Sequence, residues 1–203
     1  MDVFLTGVVA GYGIAVPVGA IAVLIVEVGI RCGFRCASAA GAGAATADLL
    51  YASLAVIGGA ALAGVVESLA QPLRIVSAAV LVVIAVVGLR RASRTRESVE
   101  FSFPDRSELA GTYVRFVALT IINPTTIIYF AAVIVGLGVA DDLSATEGAL
   151  FVVGAFLASL SWQTLLAAVG ALAGDRLSAR AQTTAIVTGN LVIFVFAIVI
   201  LLR

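Results

Sequence analysis

The chain has no histidine and no lysine, only two cysteines and a single tryptophan. Without histidine it lacks the side chain most suited to acid–base work near neutral pH. Without histidine or a second cysteine pair, Cys32 and Cys36 cannot complete a zinc shell. No glycine-rich phosphate loop is present, and no basic tail or arm suggests nucleic-acid binding. Charged residues make up only 12% of the chain, too few for a soluble domain's surface. A soluble enzyme is therefore not expected, and neither a metal nor a cofactor is called for. The C-x3-C pair falls in a short polar segment, where two free thiols in a reducing compartment are expected.

What the chain has in abundance is apolar length. It is 62% hydrophobic over 203 residues, with a mean hydropathy of +1.18. A bilayer crossing needs about 20 such residues. Six spans are read near Leu5–Gly29, Ala37–Gly64, Leu73–Leu89, Tyr113–Gly138, Glu147–Leu172 and Ala181–Leu202. The start of the chain carries no basic n-region and its apolar run is long, so the first span is expected to be retained. All twelve basic residues are arginines. Arg31 and Arg35, Arg90 to Arg106, and Arg176 and Arg180 load the three odd loops, while Glu67, Asp141 and Asp142 mark the others. The positive-inside rule then puts the odd loops in the cytoplasm and both termini outside, with Arg74 and Arg203 against it. The Arg90–Arg96 cluster suits an anchor beside anionic lipid.

Pro17 and Pro124 each fall near the middle of the long apolar stretch that opens one half of the chain. A proline within a helix removes a hydrogen bond and crowds the carbonyl four residues back. Those carbonyls belong to Gly13 and Thr120. In lipid, freed backbone groups are tolerated only when buried in protein or facing a wet cavity. Matched breaks in two halves point to a transport site. The expected fold is an all-α membrane protein. It has six transmembrane helices in two inverted three-helix repeats (residues 1–90 and 112–203), with helices 1 and 4 broken or kinked. A cytoplasmic linker, 91–111, joins the repeats within one membrane domain.

Asp48 lies near the middle of span 2. A carboxylate at that depth costs roughly 2.5–3.5 kcal/mol even on the lenient insertion scale. It must face a cation, a proton, a substrate ammonium or a helix terminus, unless it only ties two helices together. Thr46 and Tyr51 are its neighbours, and Tyr51 shares its face. Gly13, Gly19 and Asn123 flank the breaks. Unwound carbonyls suit an ammonium and half-helix N-termini suit a carboxylate, so a zwitterionic amino acid matches both. Simple kinks are the alternative. Glu27 and Arg115 lie nine or ten residues from the prolines, roughly 14 Å along a helix. They are candidates for an inner gate, or else a static pair or interfacial charges. Trp162, Gln163 and Asn190 are mid-span polar groups that enter the site only if they face Asp48.

These residues resemble the LysE/RhtB family of bacterial amino-acid exporters. The likeness rests on Gly13-x3-Pro17-x-Gly19, the Arg31-Cys32-Gly33-Phe34-Arg35 turn, Gly41-x-Gly43-x4-Asp48, and Asn123-Pro124 with Tyr129-Phe130. It covers almost the whole chain. Many members read Pro-Gly-Pro where this chain has Pro17-Val18-Gly19-Ala20. The resemblance implies proton-driven efflux of an amino acid or close analogue across the inner membrane, by a protein that assembles as a homodimer. It makes Asp48 the group that binds the substrate ammonium or couples protons, with Pro17, Gly19, Asn123 and Pro124 shaping the site. Two other classes are weighed against it. A thiol-based electron transporter needs cysteines inside the membrane. A heavy-metal exporter needs softer ligands than this chain offers.

Overall fold

A computed structural model describes residues 2–16, 19–94, 106–123, 126 and 143–202. Pro17, Pro124, Tyr129, Phe130, residues 127–138 of the fourth expected span and residues 95–105 of the linker lie outside that set. The described residues form six helices and no strand. They are α1 (Val3–Ala15), α2 (Ala20–Cys32), α3 (Phe34–Arg94), α4 (Arg106–Ile121), α5 (Ala145–Arg176) and α6 (Ala179–Leu202).

The first apolar run is broken, and α1 and α2 meet at 78°. Asp2 starts α1 by accepting the Phe4 N–H at 3.1 Å. Gly19 starts α2 in an extended conformation, with its carbonyl taking the Val23 N–H at 3.3 Å. At the other end Gly33 takes φ 79°, ψ −175°, a region open almost only to glycine. That turn brings Cys32 and Cys36 together, Cα to Cα 5.8 Å, as a disulfide. This corrects the expectation of two free thiols. Their spacing across the turn puts the two side chains on facing helix ends.

Backbone is helical throughout Phe34–Arg94, where a loop around Glu67 was expected between two spans. Segment 59–71 holds four alanines and two leucines, good helix formers, alongside Gly59 and Gly64, and Pro72 follows within the helix. The run is not straight. Gly43 packs on Tyr113 and Phe116 of α4, while Gly88 packs on Asn190 and lines a cavity together with Phe116. A straight helix would hold residues 43 and 88 roughly 68 Å apart. The limbs Phe34–Gly58 and Ala78–Arg90 therefore lie side by side, and the chain reverses between them.

Among the described residues, three segments are long and apolar enough to cross a bilayer: Phe34–Gly58, Ala145–Arg176 and Arg180–Val199. The bent α1–α2 pair makes a fourth if it counts as one span, and Ala78–Arg90 is a shorter apolar helix. Side chains such as Val9 (62% exposed) and Ile57 (83%) point outward. That outward face suits lipid contact.

In lipid, helix association relies on close packing rather than on the hydrophobic effect. Here small residues supply it. Gly7 sits on the Phe151 carbonyl and Gly11 on Ala155 and Ala158. Beyond the break, Gly29 meets Gly170 and Ala171, and Gly174 meets Ile30. Contacts advance in the same direction on both partners, so α1 and α2 each run parallel to α5. A second core gathers alanines of α2, α3, α5 and α6 around the fully buried Ile25 and Ile193.

Candidate functional site

Asp48 projects from the first limb of α3 and is only 6% exposed. Gly41, two turns earlier, lets α3 approach α5, since a Cβ there would lie 3.0 Å from Gln163 Cβ. The helices run antiparallel, so Asp48 meets Ser159, one turn before Gln163. Ser159 Oγ donates to Asp48 Oδ2 at 2.6 Å. No arginine pairs with Asp48 among the described residues.

The carboxylate faces a cavity of about 50 Å³ lined by Gly19, Thr120, Asn123, Thr126 and Gln163. Four elements thus converge on it: the α1–α2 break, α3, the end of α4 and α5. Gly19 borders one break, and Asn123 and Thr126 border the other. The side chains of Thr120 and Gln163 are buried, and their Oγ1 and Oε1 have no hydrogen-bond partner. Such a chamber offers one anionic group, one unpaired hydroxyl and one unpaired amide oxygen. These suit an ammonium or a proton.

The backbone beside the second break is not left open at Thr120. Its carbonyl accepts the Asn123 N–H at 3.2 Å in a tight turn, so the expected stranded carbonyl is satisfied locally. Tyr51 donates its hydroxyl to the Ile121 carbonyl and so holds the end of α4 beside Asp48. Thr46 points to α4 instead of the chamber: it donates to the Ala42 carbonyl at 2.8 Å and accepts from the Tyr113 hydroxyl at 2.9 Å. Gly13 faces open space and does not line the cavity.

Sequence reasoning did not single out Ser159, Thr126 or the Thr120 side chain. Ser159 was within reach, because it lies four residues from Gln163 and shares its helix face.

A second polar cluster lies toward the α2–α3 turn. Glu27 and Arg115 line one cavity of about 230 Å³, together with Arg31 and Asn190. Glu27 does not bond Arg115. Its Oε1 accepts Arg31 Nε at 2.9 Å, and its Oε2 accepts Asn190 Nδ2 at 2.8 Å. Asn190 thus faces Glu27 and not Asp48.

A bundle of apolar helices that encloses a carboxylate with no ion-pair partner among the described residues is the kind of site a membrane transport protein carries. A family model described as LysE type translocator matches residues 13–203, and the chain belongs to that family. It is a family of transporters, not of enzymes. No curated protein and no solved structure matches the chain.

Proposed function

We propose that the chain exports an amino acid or close analogue across the bacterial cytoplasmic membrane by proton-coupled alternating access at Asp48. The observation that carries this reading is the single cavity in which Asp48 meets residues flanking both helix breaks. A carboxylate with no basic partner among the described residues alternates naturally between a proton and a substrate ammonium, which is the exchange that coupling requires. Two inverted repeats, 1–90 and 112–203, joined by a linker at 91–111, complete the six crossings. Parallel packing of α1 and α2 with α5 agrees with an odd-numbered span lying beside another odd one. The arginine-rich α2–α3 turn faces the cytoplasm and both termini face outward. The working unit is a homodimer in the lipid bilayer.

Asp48→Asn tests this. Cells or proteoliposomes carrying the variant should lose proton-driven efflux of toxic or labelled amino acids by at least an order of magnitude, while the protein still inserts. Undiminished proton-driven efflux would exclude Asp48 as the coupling group.

A further inference from the structure

Two polar cavities lie in the bundle. The Asp48 chamber is the smaller, about 50 Å³. The cavity at Glu27 is larger, about 230 Å³. Both cavities lie along α2, with Gly19 and Ala22 lining the first and Leu24 and Glu27 the second.

Two polar atoms buried in the wall of the larger cavity have no partner. Asn190 is fully buried, yet its Oδ1 has no partner. That oxygen lies against Gly88, where any side chain would cover it. Arg31 uses Nε on Glu27, while its buried Nη2 has no partner. Arg115 forms no ion pair among the described residues. The Glu27 carboxylate and the Arg115 guanidinium line this one cavity. An anionic acceptor and a cationic donor in one pocket match the ammonium and carboxylate of a free α-amino acid.

The two cavities are also linked. Ile21 and Asn123 line both the Asp48 chamber and a void of about 10 Å³ beside Leu81 and Leu119. Leu119 in turn lines the larger cavity. The small void thus shares lining with both cavities, and Ile21, Leu81 and Leu119 line it.

We infer that Glu27, Arg31, Arg115 and Asn190 form a second, entry-side binding site that captures a zwitterionic amino acid before it passes to Asp48. This rests on the reading of the chain as an amino-acid carrier. Glu27 is then a ligand for substrate, held in place by Arg31 and Asn190, and not half of a gate with Arg115.

Equilibrium binding tests it, with the full-length protein in phosphatidylglycerol nanodiscs, whose lipid has no headgroup ammonium to compete. The probes are radiolabelled L-leucine, L-threonine and L-lysine. At least one should bind to wild type and still bind to Asp48→Asn. Glu27→Gln and Arg115→Gln should each weaken that binding roughly tenfold or more, as expected for losing a charge-assisted contact. Arg115→Lys should recover most of the loss. N-acetyl and methyl ester forms of the bound amino acid should compete at least tenfold less well, because each blocks one end. Arg115 is exposed, so its replacement keeps the test readable even if Glu27→Gln fails to fold. Binding that ignores both substitutions, or binding of none of the probes, overturns the entry site. Binding that vanishes in Asp48→Asn but ignores Glu27→Gln and Arg115→Gln also overturns it and leaves the Asp48 reading standing. Binding governed by Glu27 and Arg115, with proton-driven export intact in Asp48→Asn, keeps the entry site and sinks the Asp48 reading.

Discussion

Ser159 Oγ donates a 2.6 Å hydrogen bond to Asp48 Oδ2 across the contact between α3 and α5. Both residues are buried, Ser159 at 1% exposure and Asp48 at 6%. The bond fixes one carboxylate oxygen and leaves the other toward the chamber. It also ties the helix that carries the acid to the helix on which the broken span rests.

Ser159→Ala should therefore destabilise the protein by roughly 1.5–3 kcal/mol, the usual range for a hydrogen bond to a charged group. Thermal unfolding of purified protein measures it. The same substitution made in Asp48→Ala should cost much less, because the two residues are coupled. An equal cost in both backgrounds would show that the bond contributes nothing.

Glycines at the α5 contact should separate sharply from Gly13. A Cβ on Gly29 would lie 2.8 Å from backbone atoms of Gly170 and Ala171, and one on Gly11 would lie 2.8 Å from Ala155 Cα. Backbone cannot yield as a flexible side chain can, so Gly11→Ala and Gly29→Ala should each cost about 1–3 kcal/mol. Gly13→Ala meets nothing within 4 Å and should leave the melting temperature unchanged or slightly raised. The order of the three melting temperatures checks the packing.

Tyr51→Phe removes the hydroxyl that holds the Ile121 carbonyl. The stability loss should be about 1 kcal/mol. Export should fall more than stability suggests, because the end of α4 places Thr120 and Asn123 in the chamber. A variant with wild-type export rates would make that bond merely structural.

Replacing Cys32 and Cys36 together by alanine, which adds no polar group at the buried Cys36, should leave export within about twofold of wild type. The disulfide joins two residues at the α2–α3 turn, outside both cavities. Loss of export in the double variant would revive a thiol-based carrier.

Much of this was legible in one dimension. Hydropathy marks Glu147–Leu172 and Ala181–Leu202 as apolar runs, and α5 and α6 cover them. A proline in the first run marks a break, and the helices on either side of it bend apart. Between the second and third expected spans the chain does reverse, but the backbone around Glu67 is helical where a loop is expected. Glu27 was matched to Arg115 by depth alone. Its actual partners, Arg31 and Asn190, come from its own next turn and from a helix 163 residues away in sequence.

Composition and hydropathy alone made this a membrane protein, because bilayer insertion is decided segment by segment from side-chain transfer energies. They also made Asp48 costly enough to require a purpose. Which groups would meet that cost was a tertiary matter. Helix rotation and offset depend on where glycines and alanines let backbones touch, as Gly41 does at Gln163 and Gly29 at Gly170. Those contacts turn Ser159 and Gln163 toward Asp48 and Asn190 toward Glu27. No local property of the chain encodes that choice, since it belongs to pairs of surfaces rather than to either helix alone.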